Sequence, residues 1–379
     1  MAPIRTALIG LSSTAKTSWA SGAHLPYLLS PRGRERYQIV ALLNSSADAA
    51  RAAIESYSLP SSTRAYGDPR DLAADPDVDL VVCCTRVDVH YDSARPSVAA
   101  GKDVYVEWPL AQDAARAREL AELAREKGGR SVVGLQGRLA PQARKVAELI
   151  GSGRIGRVLS AEVRAYGGTN GRDVVPRGLD YFLRREVGGN IYTIGFAHLF
   201  DWVKSVVGET ADAKGHFQLQ RPETKIRESD GTIKTAKSDV PDLVSVIATL
   251  EESPTVRKGA TFQARFRRGQ PFPGEVPLWF AINGEKGEIR LTSSAGTSLH
   301  SSADTEALKI EVHDFETDEV ERVHWDWEDW QKELPVVARS IGSIYEEFAK
   351  GEKGLYPTFE DALALHEHLE GIIAPFYEK

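Results

Sequence analysis

The sequence predicts an α/β protein whose N-terminal part is a doubly wound parallel sheet and whose C-terminal part is an α+β domain on an open, largely antiparallel sheet. Two observations lead to this prediction. Short apolar runs alternate with helical patterns from Ile4 to about residue 135, as in sheets covered by helices on both faces. From Val158 onward, alternating strands dominate. We therefore expect a first domain over residues 1–135 and a second over residues 136–379.

The first strand is predicted at Ile4–Ile9 and ends at Gly10, before the polar turn Leu11-Ser12-Ser13. Helical spacing follows, so backbone N–H groups of the turn and the positive end of a helix would face an anion. Of the three glycines in the dinucleotide-binding fingerprint, only the first is present. An ordinary strand-to-helix turn is therefore the alternative.

The remaining elements of the first domain follow in order. A helix interrupted near Pro26 is expected over Trp19–Leu29. Further strands are predicted at Tyr37–Leu43, Val78–Cys84, Lys102–Glu107 and Ser131–Leu135. Helices are predicted at Ala47–Tyr57, Asp68–Ala74, His90–Ala100 and Gln112–Lys127.

Parallel strands bring their carboxyl ends to one rim of the sheet, where ligands bind in open α/β folds. Thr85, Glu107 and Trp108 are expected on the same rim as the Gly10 turn. A dinucleotide fold usually carries a ribose-binding carboxylate after the second strand, whereas this chain has Asn44-Ser45-Ser46. No carboxylate would repel a phosphate there, so the sequence permits NADP and favours it over NAD.

The second domain is predicted from longer strands and few helices. Arg221–Asp239 is polar and is expected to be an exposed loop. The three tryptophans of His324–Trp330 are expected to pack in a core or an interface. Strands are predicted at Val158–Tyr166, Leu243–Leu250, Ala260–Arg268, Leu278–Ile282 and Glu288–Leu291, and helices at Pro141–Gly151, Asn190–Val207, Leu334–Phe348 and Phe359–Tyr377.

Composition excludes several classes of protein. A net charge of −7 argues against direct nucleic-acid binding, and no apolar run is long enough for a membrane span. The two adjacent cysteines, Cys83 and Cys84, offer no disulfide framework. We therefore expect a cytoplasmic protein, with the nucleus left open. No metal constellation is present, because His366 and His368 lie two residues apart on a helix and face different directions.

Several separated motifs resemble one family, the glucose-fructose oxidoreductase, inositol dehydrogenase and rhizopine catabolism (Gfo/Idh/MocA) family. The strand and turn at Ile4–Gly10 begin the resemblance. The other motifs follow in the family's order: AHLP at 23–26, VVCCTRVDVH at 81–90, EWP at 107–109, GLQGR at 134–138, IGSGRIGRV at 150–158, GGN at 188–190 with His198 and Asp201, and GEKG at 284–287.

This resemblance implies an NAD(P)-binding Rossmann domain, a second domain on an open mixed sheet, and dimers or tetramers formed through that sheet. It also implies hydride transfer between nicotinamide and a small-molecule substrate such as a sugar or polyol. On the matching motifs, Cys84, Thr85, His90 and Gln136 are expected to contact the cofactor, together with the rim and turn residues already named.

The chain departs from the family at two positions. Trp108 stands where the family carries its general acid/base lysine, and Ile194 stands where it usually has an aspartate, four residues before His198. Within the family, the combined pattern most resembles the fungal branch around the repressor of the yeast galactose regulon. That repressor binds a nicotinamide dinucleotide and acts by protein contact, which opens a second class of function.

Hydride transfer needs a group that gives or takes a proton. Trp108 cannot titrate, so we expect its indole to line the nicotinamide site. An unperturbed histidine titrates near neutral pH. We expect His198 to face the nicotinamide as a catalytic or substrate-binding residue, the alternative being a satisfied helix histidine. Tyr192 and Tyr181 are alternative acids or packing residues.

Arg138 and Asp180 are candidate substrate contacts, with Tyr181 beside Asp180; a structural surface role is the alternative for Arg138. Our leading hypothesis is an NAD(P)-dependent oxidoreductase acting on a carbonyl, an imine, an alkene or a sugar-like alcohol. The rival is a dinucleotide-binding transcriptional regulator that holds a protein partner.

Overall fold

The computed structural model describes residues 2–12, 18–167, 171–352 and 354–378. The chain divides into two compact units. The first contains residues 1–136, 186–189 and 329–367, and the second contains residues 137–185, 190–328 and 368–379. The domain boundary expected after residue 135 stays a prediction.

The first unit is built on a six-stranded parallel sheet with the strand order β3-β2-β1-β4-β5-β6. Its central strands are apolar and buried, because helices cover such sheets on both faces. The predicted doubly wound sheet is confirmed. The strands are β1 (Ile4–Ile9), β2 (Tyr37–Leu43), β3 (Arg64–Tyr66), β4 (Leu80–Cys83), β5 (Asp103–Val106) and β6 (Ser131–Val133).

The helices of this sheet carry clear end signals. Ser46 accepts from the backbone N–H of Ala49 at the start of α3, and Asp113 caps α6, which ends at Gly128 in the left-handed region with φ of 78°. These helices are α1 (Leu25–Leu29), α2 (Pro31–Arg34), α3 (Ala47–Ser56), α4 (Pro69–Ala73), α5 (His90–Ala99) and α6 (Ala114–Lys127).

The helix expected over Trp19–Leu29 differs from the prediction. A five-residue π-helical turn spans Ala20–His24, and α1 follows directly. Pro26 lies in the first turn of α1 and does not interrupt it. Backbone N–H groups in the first turn have no partner within the helix, so the N–H that proline lacks is not needed there.

The second unit contains an eight-stranded sheet with the order β17-β16-β15-β14-β7-β13-β12-β9. Only the β7–β13 pair among these described strands is parallel, so the predicted open, largely antiparallel sheet is confirmed. The strands are β7 (Val158–Gly167), β8 (Val174–Pro176), β9 (Thr210–Gln218), β10 (Glu223–Arg227), β11 (Ile233–Lys237), β12 (Leu243–Leu250), β13 (Val256–Arg268), β14 (Leu278–Gly284), β15 (Gly287–Ser293), β16 (Leu308–Asp314) and β17 (Val320–Val323).

The prediction of an exposed loop at Arg221–Asp239 is wrong. This segment forms the antiparallel hairpin β10–β11, and β10 pairs in parallel with β8. Ile226 is buried against Val175 and Leu183 in a small separate core. One apolar side chain per strand is too weak a pattern to predict a sheet from sequence.

The remaining helices match the prediction closely. A π-helical turn, Ile191–Phe196, precedes α8 and is capped by Asn190, whose side chain accepts from the N–H groups of Tyr192 and Thr193. Trp325 and Trp327 are buried as expected, at 6% and 2% exposure. Among the described helices, none is long and apolar enough to cross a membrane. The helices are α7 (Pro141–Gly151), α8 (Ala197–Val207), α9 (Asp329–Lys332), α10 (Val336–Lys350) and α11 (Phe359–Tyr377).

Candidate functional site

The candidate site is the rim formed by the carboxyl ends of the first unit's strands. The strand order reverses between the neighbours β1 and β4, since the chain continues from β1 towards β2 on one side and from β4 towards β5 on the other. At such a switch point the connections leave the sheet in opposite directions, which opens a crevice for a ligand.

Gly10, directly after β1, is held in a conformation that requires glycine. Its φ is +91°, and an added Cβ would lie 2.9 Å from Cγ2 of Thr85 and 3.1 Å from the carbonyl oxygen of Cys84. The backbone of the turn therefore approaches the end of β4 without a side chain between them. Such an open backbone is what a phosphate-binding turn needs.

The turn after Gly10 is tied to neighbouring elements. The carbonyl of Leu11 accepts from Nδ2 of Asn44 at 2.8 Å, and the carbonyl of Ser12 accepts from the hydroxyl of Tyr57 at 3.0 Å. Ser13 lies outside the described residues. The amide of Asn44 thus connects the ends of β1 and β2.

The end of β2 presents neutral polar groups. Ser45 is exposed, and Ser46 is exposed while its hydroxyl caps α3. The side-chain amide of Asn44 donates hydrogen bonds to the backbone carbonyls of Leu11 and Ala49. The three residues that follow β2 thus carry amide and hydroxyl groups and no carboxylate.

The end of β4 is buried and held by His90. Nδ1 of His90 lies 2.8 Å from the carbonyl oxygen of Pro109, and Nε2 lies 2.9 Å from that of Thr85. Burial lowers the pKa of this imidazole and raises the pKa of the Cys84 thiol. Because both ring nitrogens face backbone carbonyls, the geometry favours a positioning role for His90.

Glu107, directly after β5, brings a carboxylate to the rim. The residue is 7% exposed, and its Oε1 lies 2.9 Å from Nε2 of His24. Gly134 follows β6 beside it: an added Cβ would lie 2.5 Å from Oε2 of Glu107. Two residues on, Gln136 is 3% exposed, and its Oε1 has no hydrogen-bond partner in the part of the chain that the structure describes.

Trp108 is only 4% exposed, and the Trp108–Pro109 peptide is cis. Its indole packs on the imidazole of His366, with ring centroids 4.6 Å apart. Burial lowers the pKa of His366 to about 4. In the first unit the indole is therefore a packing group, and its expected contact with nicotinamide stays a prediction.

The second unit carries the other candidate residues. His198 lies in the first turn of α8 and is half-buried. The guanidinium of Arg138 donates through Nε and Nη2 to the carboxylate of Asp201, with distances of 2.7 to 3.1 Å. Asp201 is 3% exposed, so this ion pair favours the structural role for Arg138.

The candidate tyrosines and Asp180 have local partners. Tyr192 donates its hydroxyl to the carbonyl of Leu369 at 2.8 Å, stacks on Phe196, and has its pKa raised by burial. A raised pKa makes Tyr192 a poor acid at neutral pH, which favours its packing role. Tyr181 packs on Phe182, and Asp180 lies 3.5 Å from Arg177.

Sequence reasoning did not predict the contacts that two residues, His24 and Tyr345, make at this site. His24 and Tyr345 form a buried polar chain to Glu107. The AHLP motif marks His24, but its partner Glu107 lies 83 residues away and Tyr345 lies 321 residues away. Within the described residues, no group of three or more His, Cys, Asp or Glu side chains could hold a metal ion.

These features define the class: an α/β protein of the dinucleotide-binding type, with a glycine turn at the switch point and a second unit on an open sheet. Comparisons with known proteins agree. Residues 4–135 match the model of the oxidoreductase family with an NAD-binding Rossmann fold, and residues 141–293 match that of the Gal80p C-terminal domain.

The relatives include a dehydrogenase and a regulator. The chain is 30% identical to dehydrogenase aclE of Aspergillus oryzae, covering 98% of this chain and 95% of that protein. It is 26% identical to the galactose/lactose metabolism regulatory protein GAL80 of Saccharomyces cerevisiae, covering 78% and 68%. The solved structure of the transcriptional regulator Gal80p from Kluyveromyces lactis shares the fold, with a TM-score of 0.84, 24% identity, and coverage of 100% and 90%. The chain therefore belongs to the Gfo/Idh/MocA oxidoreductase family, as its motifs predict.

Proposed function

We propose that this protein is an NAD(P)-dependent oxidoreductase that transfers a hydride between nicotinamide and a small organic substrate. The observation that carries the proposal is the switch-point rim. The bare backbone at Gly10 follows β1 and the carboxylate of Glu107 follows β5, and the two strands flank β4 in one parallel sheet. The similarity to a dehydrogenase over nearly the whole chain supports it.

The residues of the rim fit a dinucleotide. Leu11 and Ser12 would hold the pyrophosphate through backbone N–H groups, with Gly10 allowing its close approach. Ser13, outside the described residues, is proposed as a further contact. Asn44, Ser45 and Ser46 would lie at the adenosine ribose. The buried amide oxygen of Gln136, without a described protein partner, is a group that a bound ligand would satisfy. Cys84, Thr85, His90 and Glu107 would complete the nicotinamide side.

We propose NADP as the better cofactor, because hydroxyl and amide groups replace the usual carboxylate at the end of β2. A carboxylate would repel the additional phosphate of NADP. NAD stays the alternative.

When bound, nicotinamide supplies or accepts the hydride. The chain must then supply the proton, and Trp108 cannot, since an indole does not titrate. We propose His198 for this role, because imidazole is the side chain best suited to exchange protons near neutral pH and that of His198 is only half-buried. The lysine missing at residue 108 favours a carbonyl, imine or activated alkene over a simple secondary alcohol as substrate.

The test uses the full chain with NADH and NADPH. Binding is measured by cofactor fluorescence, and turnover is followed as nucleotide oxidation over a panel of carbonyls, imines, enones and sugars. We expect turnover of one substrate class to fall at least a hundredfold in His198→Ala. His313→Ala is the control, because His313 lies on β16 and pairs with Asp318. Tight binding with no turnover of any substrate would reject the catalytic proposal.

The second candidate is a non-catalytic, dinucleotide-binding transcriptional regulator that acts through protein contact. Trp108 and Ile194, at the positions of the family lysine and aspartate, favour it, as does the similarity to GAL80. Affinity capture with and without added NADPH tests it: a nucleotide-dependent protein partner supports this function, and efficient turnover without such a partner rejects it. Assembly of the chain with itself through the second unit's open sheet stays a prediction, which sedimentation would check.

A further inference from the structure

A chain of three buried polar side chains reaches Glu107 from inside the first unit. The hydroxyl oxygen of Tyr345 lies 2.8 Å from Nδ1 of His24, and Nε2 of His24 lies 2.9 Å from Oε1 of Glu107. Tyr345 and His24 are fully buried, and Glu107 is 7% exposed. We name this chain the Tyr345–His24–Glu107 relay.

The phenol of Tyr345 acts as the donor at the inner end of the proposed relay. Burial raises the pKa of Tyr345, so its phenol keeps the proton and can donate it to Nδ1 of His24. A neutral imidazole that accepts at Nδ1 carries its proton on Nε2. Nε2–H then donates to Oε1 of Glu107.

Tyrosine rings fix the inner end of the relay. Tyr27 stacks on Tyr345 with ring centroids 5.3 Å apart and an interplanar angle of 6°. The hydroxyl of Tyr37 donates to the backbone carbonyl of Tyr345 at 2.6 Å. Tyr105 packs edge-on against His24 at 5.2 Å. These contacts and full burial hold the rings of His24 and Tyr345 in place, which is the condition for orienting a third group.

The outer end of the relay faces the rim. Oε2 is the Glu107 atom closest to the position that a Cβ of Gly134 would occupy, and Gly134 follows directly after β6. Because Gly134 has no side chain, the carboxylate of Glu107 packs directly on its backbone at the carboxyl end of the sheet. The ends of β5 and β6 lie on the opposite side of the switch point from β2, so they belong to the nicotinamide half of a bound dinucleotide.

We propose that His24 is a positioning residue: together with Tyr345 it holds the side chain of Glu107 in place at the rim, where the carboxylate accepts a hydrogen bond from the nicotinamide half of the bound nucleotide. This inference rests on the proposed nucleotide binding. A flexible glutamate would lose side-chain freedom on binding, whereas the relay removes that freedom beforehand. His24 thus strengthens nucleotide binding without touching the nucleotide.

The first experiment measures the affinity of the full chain for NADH and NADPH in matched variants. Tyr345→Phe removes the donor to Nδ1, and His24→Leu removes the imidazole. We expect both to weaken binding about tenfold or more, since hydrogen bonds to charged groups are the strong ones. His24→Gln offers an amide N–H to Glu107, so we expect it to recover part of the loss.

Tyr27→Phe is the control. Tyr27 lies in the same buried ring cluster and donates to Glu346 at 2.7 Å, outside the relay, so we expect affinity within twofold of the unchanged protein. A general loss of packing would weaken both tyrosine variants alike, and that result would overturn the proposal. Unchanged affinity in folded Tyr345→Phe would overturn it as well.

A second readout does not depend on nucleotide. Nitrogen-15 NMR of the His24 ring should show the Nε2-protonated tautomer in the unchanged protein, and this preference should weaken in Tyr345→Phe. An Nδ1-protonated ring would overturn the relay even if His24→Leu fails to fold. If the unchanged protein shows the expected tautomer but binds neither nucleotide, the proposed function fails, and with it the role of the relay in binding.

Discussion

The guanidinium of Arg138 binds the carboxylate of Asp201 through two of its nitrogens, and Asp201 is almost fully buried. Removing one partner of such a pair leaves a buried charge without compensation. We expect Arg138→Ala to lower the free energy of unfolding by about 3 kcal/mol, as measured by urea denaturation.

The double variant Arg138→Ala/Asp201→Asn is the control for this pair. We expect it to be more stable than Arg138→Ala, because a neutral amide costs less to bury than a carboxylate. If Arg138→Ala costs less than 1 kcal/mol and raises KM instead, Arg138 binds substrate and is not primarily structural.

His366 should make the protein sensitive to acid. Burial lowers the pKa of His366 from 6.5 to about 4 in the folded protein. Between pH 4 and pH 6.5, His366 is therefore protonated in the unfolded chain and neutral in the folded protein. Stability from this site is complete above pH 6.5 and is lost as the pH falls towards 4. At pH 5 the loss is about 2 kcal/mol.

His366→Phe keeps a ring against Trp108 and removes the titration. We expect its unfolding free energy to change by about 2 kcal/mol less than that of the unchanged protein between pH 7 and pH 5. His313→Gln, at a half-exposed position on β16, should retain the acid sensitivity. Equal pH dependence in His366→Phe and the unchanged protein would contradict the prediction.

Gly134 can be tested by adding one methyl group. In Gly134→Ala the new Cβ would stand 2.5 Å from the Glu107 carboxylate, so the end of that side chain must shift. We expect the protein to fold and to bind NADPH about tenfold more weakly. Gly151→Ala is the matched control, since nothing lies within 4 Å of its added Cβ. Equal nucleotide affinity in both variants would show that the Glu107 carboxylate need not stand at its present position.

The choice between NADP and NAD can be tested at Ser45. Ser45→Asp adds a negative charge to an exposed position after β2. Like charges a few ångström apart repel by about 1 kcal/mol or more, so NADPH affinity should fall several-fold to tenfold while NADH affinity changes little. Ser45→Ala should leave both almost unchanged. An equal effect of Ser45→Asp on both nucleotides would place the extra phosphate elsewhere.

The two cysteines should be unreactive in the folded protein. Both are buried, and burial raises the pKa of Cys83 to about 11, so almost no thiolate is present at pH 8. We expect a disulfide reagent to label neither thiol at pH 8 in buffer and both in guanidinium. Fast labelling of the folded protein would show that the end of β4 opens readily.

The sequence predicts the elements whose signal is local. The strand at Tyr37–Leu43 is an apolar run, and the helix at Pro141–Gly151 has proline in its first turn. The structure reproduces both ranges. The β10–β11 hairpin is not predictable in this way, because each strand buries few apolar residues. The alternation of Leu308, Ile310 and Val312 is a strand signal that sequence reasoning missed.

The same distinction between local and long-range signals applies to the candidate site. The rim follows from the parallel sheet, because the ends of strands are visible in the sequence. The His24–Glu107 contact and the Arg138–Asp201 pair join residues 83 and 63 positions apart, and no local pattern carries such information. The proton-transfer residue stays a prediction for the same reason.

Residues 329–367 return to the first compact unit after the chain has built most of the second. Tyr345 and Phe348 of this returning segment are fully buried. During synthesis on the ribosome, the apolar surface that this segment covers in the first unit therefore stays exposed until nearly the entire polypeptide has emerged. A nascent chain that stops at residue 328 should be an aggregation-prone client for chaperones.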